Sequence, residues 1–308
     1  MSLLSKRESL TQNITYMSIM AAINAIFSLI ATFFPLISLV VMIILPLTSA
    51  IVFLFCRHRY FIIYAIATIA LCLLITIYDM SFTIFYVAPS IITGYLFGIL
   101  IKHRLHAVWL ILLTSIAQAA FSALAIPVIN AVFGVDIIGT FKSLLQLQNS
   151  VYIDAIIPSF LFFLSLVQMV FSYIVISSEI SKFGYEVDDG PIDLLVLPLV
   201  ILGAIIAIIP LSFFLVGASY LMLSLALYSM VFVIFRFIAG KRRNMLIIIG
   251  ISAVVSIFAF AFLFSLLPSP YALLLSGILP FVVGVIAICD NVLLMRASKD
   301  KMKGTGER

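Results

Sequence analysis

The sequence predicts an all-α, polytopic integral membrane bundle of about ten transmembrane helices, with the N- and C-termini cytoplasmic. Three observations predict it. Hydrophobic residues fill 65% of the 308 positions and charged ones only 9%, where an ordinary soluble domain is about a quarter charged. Apolar runs of roughly 20 residues, the helical length that crosses a hydrocarbon layer about 30 Å thick, recur along nearly the whole chain. The basic residues, finally, sort to one side of the runs. Each run must be helical, because lipid offers no partner to an open backbone N–H or C=O. A transmembrane barrel would alternate apolar and polar residues, and "LLVLPLVILGAIIAIIPL" does not alternate.

The runs give spans at 16–34, 36–56, 61–78, 82–101, 107–129, 155–176, 193–209, 214–238, 245–266 and 272–295. The first follows Lys6 and Arg7 but lacks a small-residue cleavage site, so it reads as an uncleaved helix and not a signal peptide. Two apolar stretches, 16–56 and 193–238, are too long for one helix and are expected to fold back near Pro35 and Pro210. Charge tests this count. With a cytoplasmic N-terminus and ten spans, 16 of the 17 lysines and arginines fall on the cytoplasmic side and only Lys142 lies outside, as the positive-inside rule requires. Merging either hairpin destroys that partition.

Residues 130–154 are read as an extracytoplasmic segment carrying a short amphipathic helix, with Phe141, Leu144, Leu145 and Tyr152 as its apolar side. Residues 177–193 form the longest cytoplasmic connection, broken by Gly184, Gly190 and Pro191 and acidic at Glu179, Glu186, Asp188, Asp189 and Asp193. This linker divides a six-helix bundle, 1–183, from a four-helix extension with a short charged tail, 184–308.

Small residues four apart let helix backbones approach closely in lipid. Ala21 and Ala25 form such a pair in the first span, and Gly94 and Gly98 in the fourth, so both are candidates for helix or partner docking. Of the polar residues within spans, Asn24, Gln118 and Gln168 can either hydrogen-bond across helices or face a ligand. Asp290, beside Asn291 and six residues before Arg296, either pairs near the cytoplasmic end or serves as a buried functional carboxylate. Pro89 and Pro127 are expected to break or kink the fourth and fifth helices and free backbone groups there.

The stretch "ITYMSIMAAINAIFSLI" resembles the start of the substrate-binding S-components of energy-coupling-factor (ECF) transporters for vitamins. Those proteins have six helices and use an AxxxA pair on the first to dock a transmembrane coupling subunit. The resemblance covers residues 1 to about 180, and the full length, with four more helices, looks like the YybS-like family of predicted bacterial membrane proteins. It implies capture of a small, vitamin-like molecule from outside, with a coupling subunit and ATPases as partners. Ala21 and Ala25 stand where the docking pair would. The ligand pocket would open on the outer face, making Gln118, Asn130, Asp154, Tyr86 and Asp79 the candidate ligand-binding residues.

The residues also narrow the other classes. No Gly-rich phosphate loop, metalloprotease helix, nucleophile elbow or paired-cysteine motif occurs, so no enzyme, cofactor or metal site is expected and any ATP would be used by other subunits. An intramembrane enzyme built on Asp290 would lack a second catalytic group in its own stretch. The net charge of +5 lies in loops between spans and reports orientation in the bilayer, not nucleic-acid binding. His58, His103 and His106 sit in that cytoplasmic basic collar, and Cys56, Cys72 and Cys289 are isolated within apolar runs. The alternative function is a membrane scaffold or regulatory subunit whose cytoplasmic loops recruit a soluble partner.

Overall fold

The computed structural model describes residues 9–144, 151–182, 184, 185, 187, 196–264 and 271–305. Those residues are helical almost throughout, and ten helices are long and apolar enough to cross a membrane. Contacts divide the chain into two compact units. Unit 1 comprises residues 1–148 and 161–190; unit 2 comprises 149–160 and 191–308.

Unit 1 opens with α1 (Leu10–Phe33), started by a capping box in which Ser9 and Gln12 exchange side-chain to backbone bonds. Phe34 alone separates it from α2 (Pro35–Phe55), whose first residue, Pro35, has no N–H to leave open. A short turn leads into α3 (Phe61–Ile75). The fourth span is one continuous helix with a π-helical turn in it: a single turn, α4 (Met80–Phe82), passes through Thr83–Val87 into α5 (Ala88–Lys102). After it come α6 (Ala107–Phe133), the short α7 (Ile137–Leu144), and most of α8 (Val151–Ser181). Leu45, Tyr64, Ile91, Phe97 and Ile176 anchor the unit's core.

Unit 2 contains the first turns of α8, then α9 (Val196–Phe214), α10 (Val216–Ala239), α11 (Arg243–Phe264), a 3-10 segment at Tyr271–Gly277 and α12 (Ile278–Thr305). Its best-packed pair is the hairpin α9–α10, with Ile208, Tyr220 and Leu223 at the centre of a small core.

Three expectations need correction. Pro210 does not make the second hairpin: it lies in the last turns of α9, and the reversal falls at Leu215, between Phe214 and Val216. Pro127 does not break the fifth span, since α6 runs through it to Gly134, whose left-handed backbone (φ +67°) ends the helix as glycine readily can. The segment 130–154 is shorter than expected, because α6 continues to Phe133 and α8 already begins at Val151. The apolar side proposed for it, Phe141, Leu144, Leu145 and Tyr152, lies outside the described side chains. So do four of the five acids of the linker, Glu186, Asp188, Asp189 and Asp193, although α8 extends through its first residues to Ser181.

Two helices end on a cation where glycine is usual. After α5, Arg104 adopts φ +51° while Leu105 N–H bonds the Leu100 carbonyl and Arg104 N–H that of Ile101. After α10, Lys241 adopts φ +52° while Arg242 N–H bonds Phe237 and Lys241 N–H bonds Ile238. Both are Schellman closures. A side chain there is strained, and the compensation is a positive charge at the negative end of a helix dipole.

Gly94 and Gly98 set the α2–α5 contact. A Cβ on Gly94 would meet the Pro46 carbonyl oxygen at 2.3 Å and Ser49 Cβ at 2.6 Å, and one on Gly98 would meet the Phe53 ring at 2.5 Å. Gly94→Ala is therefore expected to destabilise the protein by about 1–3 kcal/mol, because backbone cannot yield as a flexible side chain does. Gly203→Ala, on an open helix surface with nothing within 4 Å, is expected to be neutral or stabilising by up to about 1 kcal/mol. Thermal unfolding in detergent checks the pair.

Candidate functional site

Several buried polar residues of unit 1 bond to a partner on another helix. Asn24, fully buried in α1, donates from Nδ2 to the Tyr64 hydroxyl of α3 at 3.0 Å and accepts at Oδ1 from Thr48 of α2 at 2.8 Å. One carboxamide thus ties three helices. One turn further along α1, Ser28 bonds the Asn24 carbonyl and contacts Cys72 Sγ at 3.6 Å. Ala21 and Ala25 flank Asn24 and are core residues, 7% and 2% exposed, so the pair packs within unit 1.

Prolines organise the next layer. Pro46 sits within α2 and has no N–H, so the Met42 carbonyl four residues earlier loses its helical partner. Gln168 of α8 replaces it: Nε2 donates to Met42 O at 3.0 Å and approaches Ser90 Oγ at 3.3 Å. Ser172, one turn on, donates to the Ile43 carbonyl at 2.8 Å. The same substitution occurs at Pro89. Its ring would leave Phe85 O open, and Ser122 of α6 reaches that carbonyl at 3.4 Å. Beside it the backbone slips to a wider turn in which Ala88 N–H bonds Thr83 O. Pro89 thus does free a backbone group, and a neighbouring helix takes it up. Turns of this kind are frequent at functional sites.

Around this widened turn lie Thr83, whose hydroxyl is 2.7 Å from that of Thr76, and Thr93, which donates to Gln118 Oε1 at 3.1 Å. Gln118, 1% exposed, therefore belongs to this seam. The other candidates are placed elsewhere. Tyr86 is half-buried and packs on Phe82 and Phe85. Asp79 is exposed and caps α4 by accepting from Phe82 N–H at 3.3 Å. Asn130 is exposed near the end of α6, and Asp154 is exposed in the first turn of α8, within unit 2. Asp154 thus belongs to unit 2 and the other four to unit 1. The buried polar side chains that bond between helices form three sets, Asn24 with Thr48 and Tyr64, Thr93 with Gln118, and Gln168 with Ser90, and none of them is an acid or a base of the Asp, Glu, Lys or Arg kind.

Unit 2 has two features of its own. Asp290, 2% exposed, forms a salt bridge with Arg242, while Arg236 donates to Asn291 Oδ1 at 3.0 Å. The aspartate's partner is therefore the turn after α10, far from its own helix in sequence. An apolar groove of about 460 Å³ runs beside α9, lined by Ile205, Ile208, Phe213, Leu274 and Phe281 with Ser212 among them. In the basic collar, His58 stacks on Phe53 at 4.2 Å and lies 3.2 Å from Lys102 Nζ, and His106 accepts from Val108 N–H to start α6. Among the described residues no cluster of His, Cys, Asp or Glu is suited to a metal ion.

Replacing Gln168 by leucine would strip the Met42 carbonyl of its partner, and the loss is expected to be about 1–3 kcal/mol. In a Pro46→Ala background residue 46 regains an N–H for that carbonyl, so Gln168→Leu should cost less there. A double-mutant cycle read by thermal unfolding measures the difference.

No protein-family model, curated protein or solved structure matches this chain.

Proposed function

We propose that this chain is a multi-pass protein of a bacterial cytoplasmic membrane and that unit 1 captures a small molecule from outside, in the manner of an ECF S-component. The surface supports the membrane setting: Leu36, Tyr78, Phe213 and Phe214 are each at least 80% exposed, a pattern favourable in lipid and costly in water. The 16-to-1 sorting of basic residues supports cytoplasmic termini. In this reading the chain is YybS-like, and a coupling subunit with ATPases supplies the energy.

The observation that carries the capture reading is the π-helical turn in the fourth span. A widened turn beside a proline, with hydroxyls and carboxamides near it, is the kind of local departure from α-helix that often accompanies a functional site. Because Ser90, Thr93, Gln118 and Gln168 are neutral, the seam suits an uncharged ligand with an apolar body and a few hydrogen-bonding atoms. Ala21 and Ala25 are already packed in the core, so a coupling subunit would dock on another face of unit 1.

Purification in lipid nanodiscs followed by mass spectrometry of bound metabolites and proteins tests this. The expected result is a retained neutral metabolite that raises the thermal midpoint when added back, with the shift weakened in Gln118→Ala. Recovery of soluble regulatory proteins alone, with no metabolite, would favour a scaffold instead. Reporter fusions at both termini should be active only in the cytoplasm, and a tag inserted beside Lys142 should be accessible from outside; an external terminus would overturn the topology.

A further inference from the structure

Buried hydroxyls on helices ordinarily donate to a carbonyl three or four residues earlier, as Ser28, Thr68, Thr76, Thr114, Ser115 and Ser224 do here. Among the described residues four buried side-chain atoms have no partner: the hydroxyls of Ser159, Ser219 and Ser229 and the Oδ2 oxygen of Asp290. All four belong to unit 2. Exposure of these residues is 6% or less, so bulk solvent does not reach them directly.

Their placement is ordered. Ser159 adjoins Pro158, against which Gly217 packs at the start of α10, and Ser219 lies two residues beyond that glycine. On α10, Ser219, Ser229 and Arg236 fall within about 100° of the helix circumference and span roughly 25 Å of its axis, nearly the thickness of a hydrocarbon layer. At the far end Arg236 meets Asn291, and Asp290 beside it carries the last open oxygen. The open groups therefore occur near the start of α10, in its middle, and at its end.

We propose that unit 2 contains a hydrated seam along this face of α10, in which water molecules complete the bonds of Ser219 and Ser229 and reach the Asp290 carboxylate. An unpaired buried hydroxyl or carboxylate oxygen destabilises a protein, whereas a buried water that finds two to four polar partners is stable. The small side chains Ser219, Ala226 and Ser229 share this face with the larger Met222 and Val233, so any water lies against the small ones. The ligand of the seam is water, and the carboxylate at its end is the group such a chain serves.

Silver ion, a thiol-reactive probe close to water in size, tests the seam in purified full-length protein in nanodiscs. The background replaces Cys56, Cys72 and Cys289 by alanine; single cysteines are then introduced as Ser219→Cys, Ser229→Cys and, as a control on the outward side of α10 at similar depth, Val231→Cys. After silver treatment and denaturation, loss of maleimide labelling at positions 219 and 229 with labelling kept at 231 is expected. Labelling at 229 as complete as at 231 would overturn the proposal. Should a cysteine variant elute as aggregate, Ser229→Ala decides in the native background: a fall in thermal midpoint is expected from loss of a hydrated hydroxyl, and a rise, the signature of removing a dry unpaired one, would overturn it.

Discussion

A backbone carbonyl that has lost its helical partner is the constraint around which unit 1 is arranged. Pro46 and Pro89 each deprive a carbonyl of its helical donor, that of Met42 in a buried site and that of Phe85 in a part-buried one. The repair comes from side chains on other helices, Gln168 for Met42 and Ser122 for Phe85. Each repair fixes the rotation and depth of one helix against another, because a hydrogen bond tolerates less displacement than apolar contact does. The close α2–α5 approach at Gly94 follows from the same place, since the atom nearest a hypothetical Cβ is the Pro46 carbonyl. Proline, carboxamide and glycine thus act as one unit of packing.

Asn24 extends the principle to the first three helices. An asparagine in mid-helix has four hydrogen-bonding positions to satisfy, and the Tyr64 hydroxyl and Thr48 hydroxyl occupy one on each side of the carboxamide. That requirement explains its surroundings of small residues: Ala21 and Ala25 bring α1 near enough for the short side chain to reach both neighbours. Asn24 and its neighbours in unit 1 therefore satisfy one another's hydrogen bonds across three helices.

Unit 2 is arranged differently. Its described ion pair, the part-exposed Arg242 with the buried Asp290, links the turn after α10 to α12, and removing the arginine would leave the aspartate's charge buried without its partner. The turn itself is held by a Schellman closure on Lys241, so the arginine is aimed by backbone geometry as well as by charge. The same closure occurs on Arg104 after α5, again at a position where glycine would fit with less strain.

The residues alone determined the helical class, the ten apolar runs and the sorting of basic side chains, because each depends on local composition and on the fixed length a helix needs to span hydrocarbon. They also marked Asn24, Gln118 and Gln168 as groups requiring partners, but left open whether those partners were ligands or helices. The second reversal falls at Leu215 and not at Pro210, because α9 tolerates a proline near its end where packing accepts the cost, and packing is not local. The pairing of Gln168 with a carbonyl beside Pro46, and of Asp290 with Arg242, joins residues far apart in the chain. Only the tertiary structure decides such pairs, since a side chain's need for a hydrogen bond is local while the identity of the atom that meets it is set by which helices lie side by side.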